Sequence, residues 1–280
     1  MKTRTTYVVG GVRIPFMKSM TAYRDVTTPE LMTASLKSLV ERYNLKGKVV
    51  GDVALGALMQ SSANWNFARE VVQASGLHPN TPAYNVQRAC GTSLETTIQI
   101  AHKISSYQIE SGIAGGVDSN SDLPIMVTRS FSQKLVALNS ARTLGEKLRI
   151  FLSFRPSDLK PVPPAVVEPR TGKSMGEHCE LMVKEWKISR QEQDELALAS
   201  HLNAAKAYKD GFYADLVFPF LGKSTDGIMR GDTTLEKLAK LKPAFDRSEK
   251  GTLTAGNSSS LTDGSSTVLL ASEEEAKKNN

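Results

Sequence analysis

An α/β fold is what this 280-residue chain predicts: a mixed β-sheet with helices on both faces, carrying an inserted, mainly helical loop domain. Three observations predict it. Short apolar runs alternate with amphipathic helical runs up to about residue 118, which is the pattern of βαβ units. From about 119 to 250 that alternation stops and loop-rich, helix-containing sequence takes over. After Phe245 sheet-type sequence returns. The expected organisation is therefore one core domain made of 1–118 and 251–280, with 119–250 inserted into it. At 40% hydrophobic composition the chain can bury a sizeable core.

Tyr7 to Gly10 is a short apolar strand, and the chain turns away from it at Pro15. Thr28 offers an N-cap with Pro29 at the first helical position, and Met32, Leu36, Leu39, Val40 and Tyr43 mark one face of a helix ending near Asn44. Val49 to Gly56 has strand composition, and Asn66 to Ala74 reads as a helix closed by Gly76. After the turn signal Pro79-Asn80-Thr81-Pro82, Tyr84 to Gln87 is strand-like. Leu94, Ile98, Ala101 and Ile104 then recur at helical spacing, predicting a helix from Cys90 to about Tyr107 with that face inward. Ser111 to Val117 is the next strand, running into the loop Asp118 to Ser121.

Within the insertion the best-defined helix starts at Ser189, whose capping box closes with Glu192, and runs to Gly211 as scaffold. Leu144 to Phe154 mixes apolar residues with Lys147, Arg149 and Arg155. The plainer reading of that patch is the solvated edge of a packed helix, with a membrane or partner surface as the alternative. Pro156, Pro161, Pro163 and Pro164 predict an extended linker. Thr252 to Thr254 and Thr267 to Ala271 are strand-like, and Ser272 to Glu275 is a capping box that opens a short helix.

The chain has 35 Lys plus Arg against 29 Asp plus Glu. No basic run is interleaved with aromatics, which excludes a nucleic-acid surface as a reading. Two cysteines, Cys90 and Cys179, make no disulfide framework, and neither stands in metal-ligand spacing, so no metal site is expected. No stretch approaches the roughly 20 apolar residues that cross a bilayer. Strand-like sequence from Thr6 leaves no room for a leader, so the cytoplasm is the expected compartment.

The stretch that carries chemistry is Asn85-Val86-Gln87-Arg88-Ala89-Cys90-Gly91-Thr92-Ser93-Leu94-Glu95. It runs from a strand through a cysteine into a helix. A thiol at a helix N-terminus meets the positive end of the macrodipole and unpaired N–H groups, which favour the thiolate. The competing reading is a small buried hydrophobe, as most free cysteines are.

That stretch resembles the nucleophile segment of the thiolases. A second segment, Gly251-Thr252-Leu253-Thr254-Ala255-Gly256-Asn257-Ser258-Ser259-Ser260-Leu261-Thr262-Asp263-Gly264, is similar to the family's glycine- and serine-rich stretch beside bound coenzyme A. The resemblance implies a thiolase-like core with its inserted loop domain, in an acyl-CoA acetyltransferase that cleaves 3-ketoacyl-CoA with CoA. Cys90 would carry the acyl group as a thioester, because sulfur is both a strong nucleophile and a tolerable leaving group. Ser259 would face the pantetheine arm with Ala255 beside it, Phe245 and Met175 would line the channel, and Arg230 would lie against the adenine ring, where a planar guanidinium stacks. Coenzyme A would be substrate, with no tightly bound cofactor.

Complete thiolases continue into a second core domain holding a Gly-His-Pro histidine, a second cysteine and a water-holding asparagine. None of these has a match here, so the 280 residues are expected to be an N-terminal portion, inactive alone. His78, His102, His178 and His201 are assigned to structural or surface roles. Ser93 stands where many members have glycine, Asn120 where methionine is usual, and Ser174 where some place histidine. The pattern is nearest the fatty-acid-degrading branch, which implies a homodimer or homotetramer and a hydratase–dehydrogenase partner subunit. Competing readings are a ketoacyl-synthase-type condensing enzyme, which also puts a cysteine at such a turn, and a non-catalytic CoA-binding or assembly half.

Overall fold

The computed structural model describes residues 2–278. In chain order the elements begin with β1 (Tyr7–Arg13), β2 (Met17–Lys18), α1 (Thr28–Arg42), β3 (Asp52–Gly56), α2 (Phe67–Ser75) and β4 (Ala83–Val86). Then come α3 (Thr92–Ser105), β5 (Ser111–Asp118), α4 (Arg129–Ser140), α5 (Leu144–Leu152) and a 3-10 turn at Pro156–Leu159. The chain finishes through α6 (Met175–Glu185), α7 (Arg190–Lys209), α8 (Leu235–Ala239), β6 (Thr262–Ala271) and α9 (Glu273–Lys278). It divides into two compact units: Met1–Asp122 with Gly176–Asn280, and Leu123–Met175.

In the larger unit the strand order is β1-β6-β5-β3-β4, with β2 pairing β6 at one end. β3 runs parallel to β4 and β5, while β6 runs antiparallel to both its neighbours, β1 and β5. The sheet is mixed, as expected. Side chains alternate across it with the period of two that strands impose. Val53, Leu55, Ile113 and Leu269 pack with Leu36 and Leu39 of α1 and Val71 and Val72 of α2. Ala54, Ala114 and Leu270 face the other way, with Ile100 and Ile104 of α3. Each large aliphatic side chain so buried contributes roughly 1.5–3 kcal/mol.

Several boundaries differ from the sequence reading for local reasons. The N-cap of α1 is Thr27, not Thr28, because Thr27 and Glu30 close a capping box one residue earlier. β3 starts at Asp52, since the Val50 N–H leaves the ladder and donates to Thr81 Oγ1 at 3.3 Å. α3 starts at Thr92 and turns Thr92, Thr96, Ile100 and Ile104 inward, leaving Leu94 and Ile98 exposed, so the predicted face is rotated. Thr252 to Thr254 is no strand; it forms an isolated bridge between Thr254 and Pro243. β6 begins five residues before the predicted Thr267, because the hydroxyls of Ser265 and Thr267 bury themselves by donating to Leu31 O at 2.6 Å and Ser35 O at 3.3 Å. α2 keeps its predicted stop at Gly76, with Asn66, read as its first residue, serving as its N-cap, and α7 keeps its predicted capping box of Ser189 with Glu192.

In the smaller unit Thr128 caps α4, and Thr143 with Glu146 caps α5. Neither helix buries a single side chain. The reading of α5 as the edge of a packed helix does not describe it: its apolar face is itself exposed. Pro156 opens the 3-10 turn, and Val162 pairs with Met126, in place of a wholly extended linker.

Candidate active site

The chain leaves β4 through a turn that its own sequence makes tight. Ala89 is held at φ 45°, in the left-handed region that disfavours a β-carbon. Thr92 secures the turn on both sides: its hydroxyl accepts from Arg88 N at 2.8 Å and donates to Ala89 O at 2.7 Å. Gly91 N donates to Arg88 O at 3.0 Å. Cys90 stands exposed between them, directly before the first turn of α3. Arg88 pairs with Glu95, whose carboxyl is held below its ordinary range by hydrogen bonds from Gln99 and Arg88.

The floor under this turn is built from glycines. A β-carbon at Gly56 would collide with Thr92 and stand 2.5 Å from Val86 O, and one at Gly116 would collide with Ser93. Glycine at these two places lets the first turn of α3 rest on the sheet. Thr96 adds a bond from Oγ1 to Gly115 O at 3.2 Å. Beside it a hollow of about 190 Å³ is lined by Phe16, Ser93, Gly116, Asp118 and Ser266 among others.

Neighbouring loops are tied to the same strand end. Asn85 Oδ1 accepts from Ala68 N at 2.8 Å, Gln60 donates to Val86 O at 3.1 Å, and Gln87 donates to Leu58 O at 3.2 Å. Asp118 accepts from Leu58 N at 2.8 Å, and burial pushes its carboxyl above the ordinary value. Sequence reading left Gln60 and Asp118 without a role. The only signal was position, since Asp118 follows the paired glycines at the C-terminal end of β5. Asn120, the departure from the family's methionine, donates to Asp263 Oδ1 and Thr262 O, clasping that loop to β6.

Three of the expected coenzyme A residues come together. Arg230, Ala255 and Ser259 line one cavity of about 360 Å³, closed on its other side by Gln193, Leu196 and Ser200 of α7. Buried carboxylates shape this cavity. Asp194 takes Arg190 Nε at 2.8 Å and Asn257 Nδ2 at 2.9 Å, and Asn257 Oδ1 accepts from Thr254 N at 2.7 Å. Glu180 accepts from Thr252 N and Leu253 N at 2.9 and 2.7 Å. Arg13 grips Asp226 with two bonds of 2.7 and 2.8 Å, anchoring the loop that leads to Arg230. Burial raises the Asp226 carboxyl, but the Arg13 bonds outweigh it and hold it below its ordinary range.

Other expectations fall elsewhere. Phe245 does not line that cavity; its ring lies over the backbone of Gly176, where a β-carbon would have no room. Met175 opens α6 and is 77% exposed. Cys90 belongs to its own turn, outside the cavity lining. His201, read as scaffold, does line the cavity, and its Nδ1 accepts from Arg230 N at 3.4 Å. Among the described residues no group of three or more His, Cys, Asp or Glu is placed to hold a metal ion, and no helix is long and apolar enough to cross a membrane.

The comparisons agree with this architecture. The family model described as thiolase, N-terminal domain, matches residues 6–274. A 3-ketoacyl-CoA thiolase of Citrobacter koseri is 41% identical over 97% of this chain, and one of Photobacterium profundum is 42% identical over 97%. The chain spans 63% of the length of each of these relatives. Among solved structures, the Bacillus anthracis acetyl-CoA acetyltransferase superposes with a TM-score of 0.82 at 30% identity, covering 99% of this chain and 68% of its own. Human mitochondrial 3-ketoacyl-CoA thiolase in complex with CoA superposes with a TM-score of 0.80 at 28% identity, covering 99% and 67%. With a cysteine set at a strand-to-helix turn and a match over nearly its whole length, the chain belongs to the thiolase family.

Proposed function

We propose that this chain supplies the nucleophile and the coenzyme A cradle of a 3-ketoacyl-CoA thiolase. Cys90 attacks the 3-keto carbon of the substrate, the bond between C2 and C3 breaks, and acetyl-CoA leaves as its enolate is protonated. Free CoA then takes the acyl group from Cys90 Sγ. The single observation that carries this reading is the Ala89–Cys90 turn, in which a strained backbone presents an exposed thiol at the head of α3.

Coenzyme A is assigned to the cavity of Arg230, Ala255 and Ser259. The guanidinium of Arg230 stacks on the adenine, and Ser259 with Ala255 faces the pantetheine arm. Phe245 and Met175 are the further residues that the family resemblance assigns to the coenzyme. We assign 119–250 to the inserted loop domain and 1–118 with 251–280 to the core.

A base for the thiol is not at hand in the turn. His78 and His102 stand equally near in sequence, twelve residues to either side of Cys90, and His102 lies roughly 15 Å along α3 from Thr92 at the helical rise. The chain spans 63% of the length of the relatives it matches, and we place the activating histidine and the α-proton shuttle in the part it does not span. The 280-residue chain alone then turns over little substrate. The complete enzyme acts in fatty-acid degradation in the cytoplasm, as a homodimer or homotetramer beside a hydratase–dehydrogenase subunit.

The test is intact-protein mass after incubation with a short acyl-CoA, followed by peptide mapping. An acyl increment on Cys90 that disappears in Cys90→Ala supports the assignment. An increment on another residue, or one that survives the substitution, overturns it.

A further inference from the structure

β1 ends on a charge that is turned away from solvent. Arg13 and Asp226 are only 13% and 16% exposed, and their side chains meet fork to fork, Nη1 to Oδ1 at 2.7 Å and Nη2 to Oδ2 at 2.8 Å. Arg13 Nη2 also donates to the Tyr208 hydroxyl at 3.3 Å, and the guanidinium lies over the Phe16 and Tyr213 rings, 4.6 and 5.4 Å from their centres. The backbone is fixed as well. Arg13 N donates to Leu216 O and Arg13 O accepts from Phe218 N, each at 2.9 Å.

An ion pair so far withdrawn from water adds little net stability, because lost hydration offsets the attraction. What a planar, two-bond fork supplies is position. Here it fixes the start of the segment 226–230. Asp226 Oδ1 accepts from Phe16 N at 2.7 Å too, Asp226 N donates to the Tyr208 hydroxyl at 3.2 Å, and Gly227 N donates to Phe16 O at 2.9 Å. A β-carbon at Gly227 would stand 2.5 Å from Met17 Cε, so glycine lets the segment lie against β2. Ile228, Met229 and Arg230 follow directly into the cavity wall. Arg230 has looser ties of its own: its N–H donates to His201 Nδ1 at 3.4 Å, and its carbonyl accepts from Thr233 N at 3.2 Å. The firm anchor is four residues upstream, at the Asp226 that Arg13 grips.

Resting on the assignment of coenzyme A to this cavity, we propose that Arg13 is a positioning residue for it, acting through Asp226 to hold Arg230 where the guanidinium meets the adenine ring. Arg13 is not among the residues that line the cavity, so its effect on the coenzyme passes through the 226–230 segment. Lysine cannot do the same work. A single ammonium keeps the charge but loses the two-bond fork and the planar stacking on Phe16 and Tyr213.

The experiment is calorimetric titration of the 280-residue chain with CoA, for the parent, Arg13→Lys, Arg230→Ala and the two combined, each confirmed folded by circular dichroism. Asp226→Asn, alone and with Arg230→Ala, opens the same fork from the other side and serves in place of a lysine variant that does not fold. Each single substitution should weaken CoA by about tenfold, and the combined variants should bind no more weakly than Arg230→Ala alone, because residues acting in series do not add. Arg13→Lys and Asp226→Asn chains that bind CoA as the parent does, while Arg230→Ala weakens it, overturn the proposal and leave the coenzyme assignment standing. Losses that multiply in the combined variants also overturn it, since they mark a general loosening of the fold. A parent that binds no CoA, or an Arg230→Ala chain that binds it as tightly as the parent, refutes the coenzyme assignment and the role of Arg13 together.

Discussion

Asn257 Nδ2 donates to the buried carboxylate of Asp194 at 2.9 Å, joining the Ala255–Ser259 loop to α7 across the wall of the cavity that Arg230 and Ser259 line. The same Asn257 receives Thr254 N, so one side chain holds both the loop's shape and its position. Asn257→Ala leaves a buried carboxylate short of one partner, with Arg190 still in place. The expected cost is about 1–3 kcal/mol of stability, read by chemical denaturation. Calorimetric titration should show CoA affinity reduced by about tenfold, because Ala255 and Ser259 lose their support.

Ala89 is a strained position that glycine would relieve. At φ 45° a β-carbon costs on the order of 1 kcal/mol, and a β-branched side chain costs more. Ala89→Gly should leave stability within about 1 kcal/mol of the parent. Ala89→Val should open the turn and slow acylation of Cys90, measured by mass spectrometry, well beyond its effect on the melting temperature.

Gly56→Ala tests the floor beneath the turn. The added carbon would stand 2.5 Å from a backbone oxygen, Val86 O, which cannot move without disturbing the β3–β4 ladder. A loss of about 1–3 kcal/mol in unfolding free energy is expected. Because the strain falls beside Thr92, Cys90 alkylation rates should change as well. Gly145→Ala, where the β-carbon meets open space, is the control and should change little.

Acid should loosen the smaller unit. The Asp158 carboxyl is held down to about 2 by the hydrogen bond from Lys134, helped by Arg155 N. A depressed carboxyl stabilises the fold above its unfolded value of about 3.9 and loses that contribution as pH falls toward 2. Hydrogen-exchange protection across 123–175, taken relative to the intrinsic amide rate at each pH, should therefore fall between about pH 4 and pH 2. Asp158→Asn should show lower protection at neutral pH and a flatter fall in acid.

Much of this architecture was legible in the residues, and the exceptions share a cause. The capping box at Ser189 and the glycine stop at Gly76 are local hydrogen-bond geometry, so sequence shows them directly. The inward face of α3 is not local. Leu94 and Ile98 look like core by spacing, yet Thr92, and Ser93 beside it, rest on bare glycine backbone that larger side chains could not approach. β6 was half hidden for a similar reason: Thr262 to Ser266 reads as turn chemistry until Ser265 and Thr267 find carbonyls on α1 to satisfy them. At the cavity, Arg230, Ala255 and Ser259 followed from motif resemblance, while His201 had no motif and is placed by the helix that carries it.

β6 reaches across the chain to pair with β1, joining residues roughly 250 positions apart on one side of the sheet. Ribosomes add about 5–20 residues per second, so on the order of tens of seconds pass between synthesis of β1 and arrival of its partner. Through that interval one edge of β5 and all of β1 offer unpaired peptide groups to any neighbouring nascent chain. Newborn molecules should accordingly need holding by chaperones until residue 271 emerges, and expression at lower temperature, where competing association slows, should raise the soluble yield.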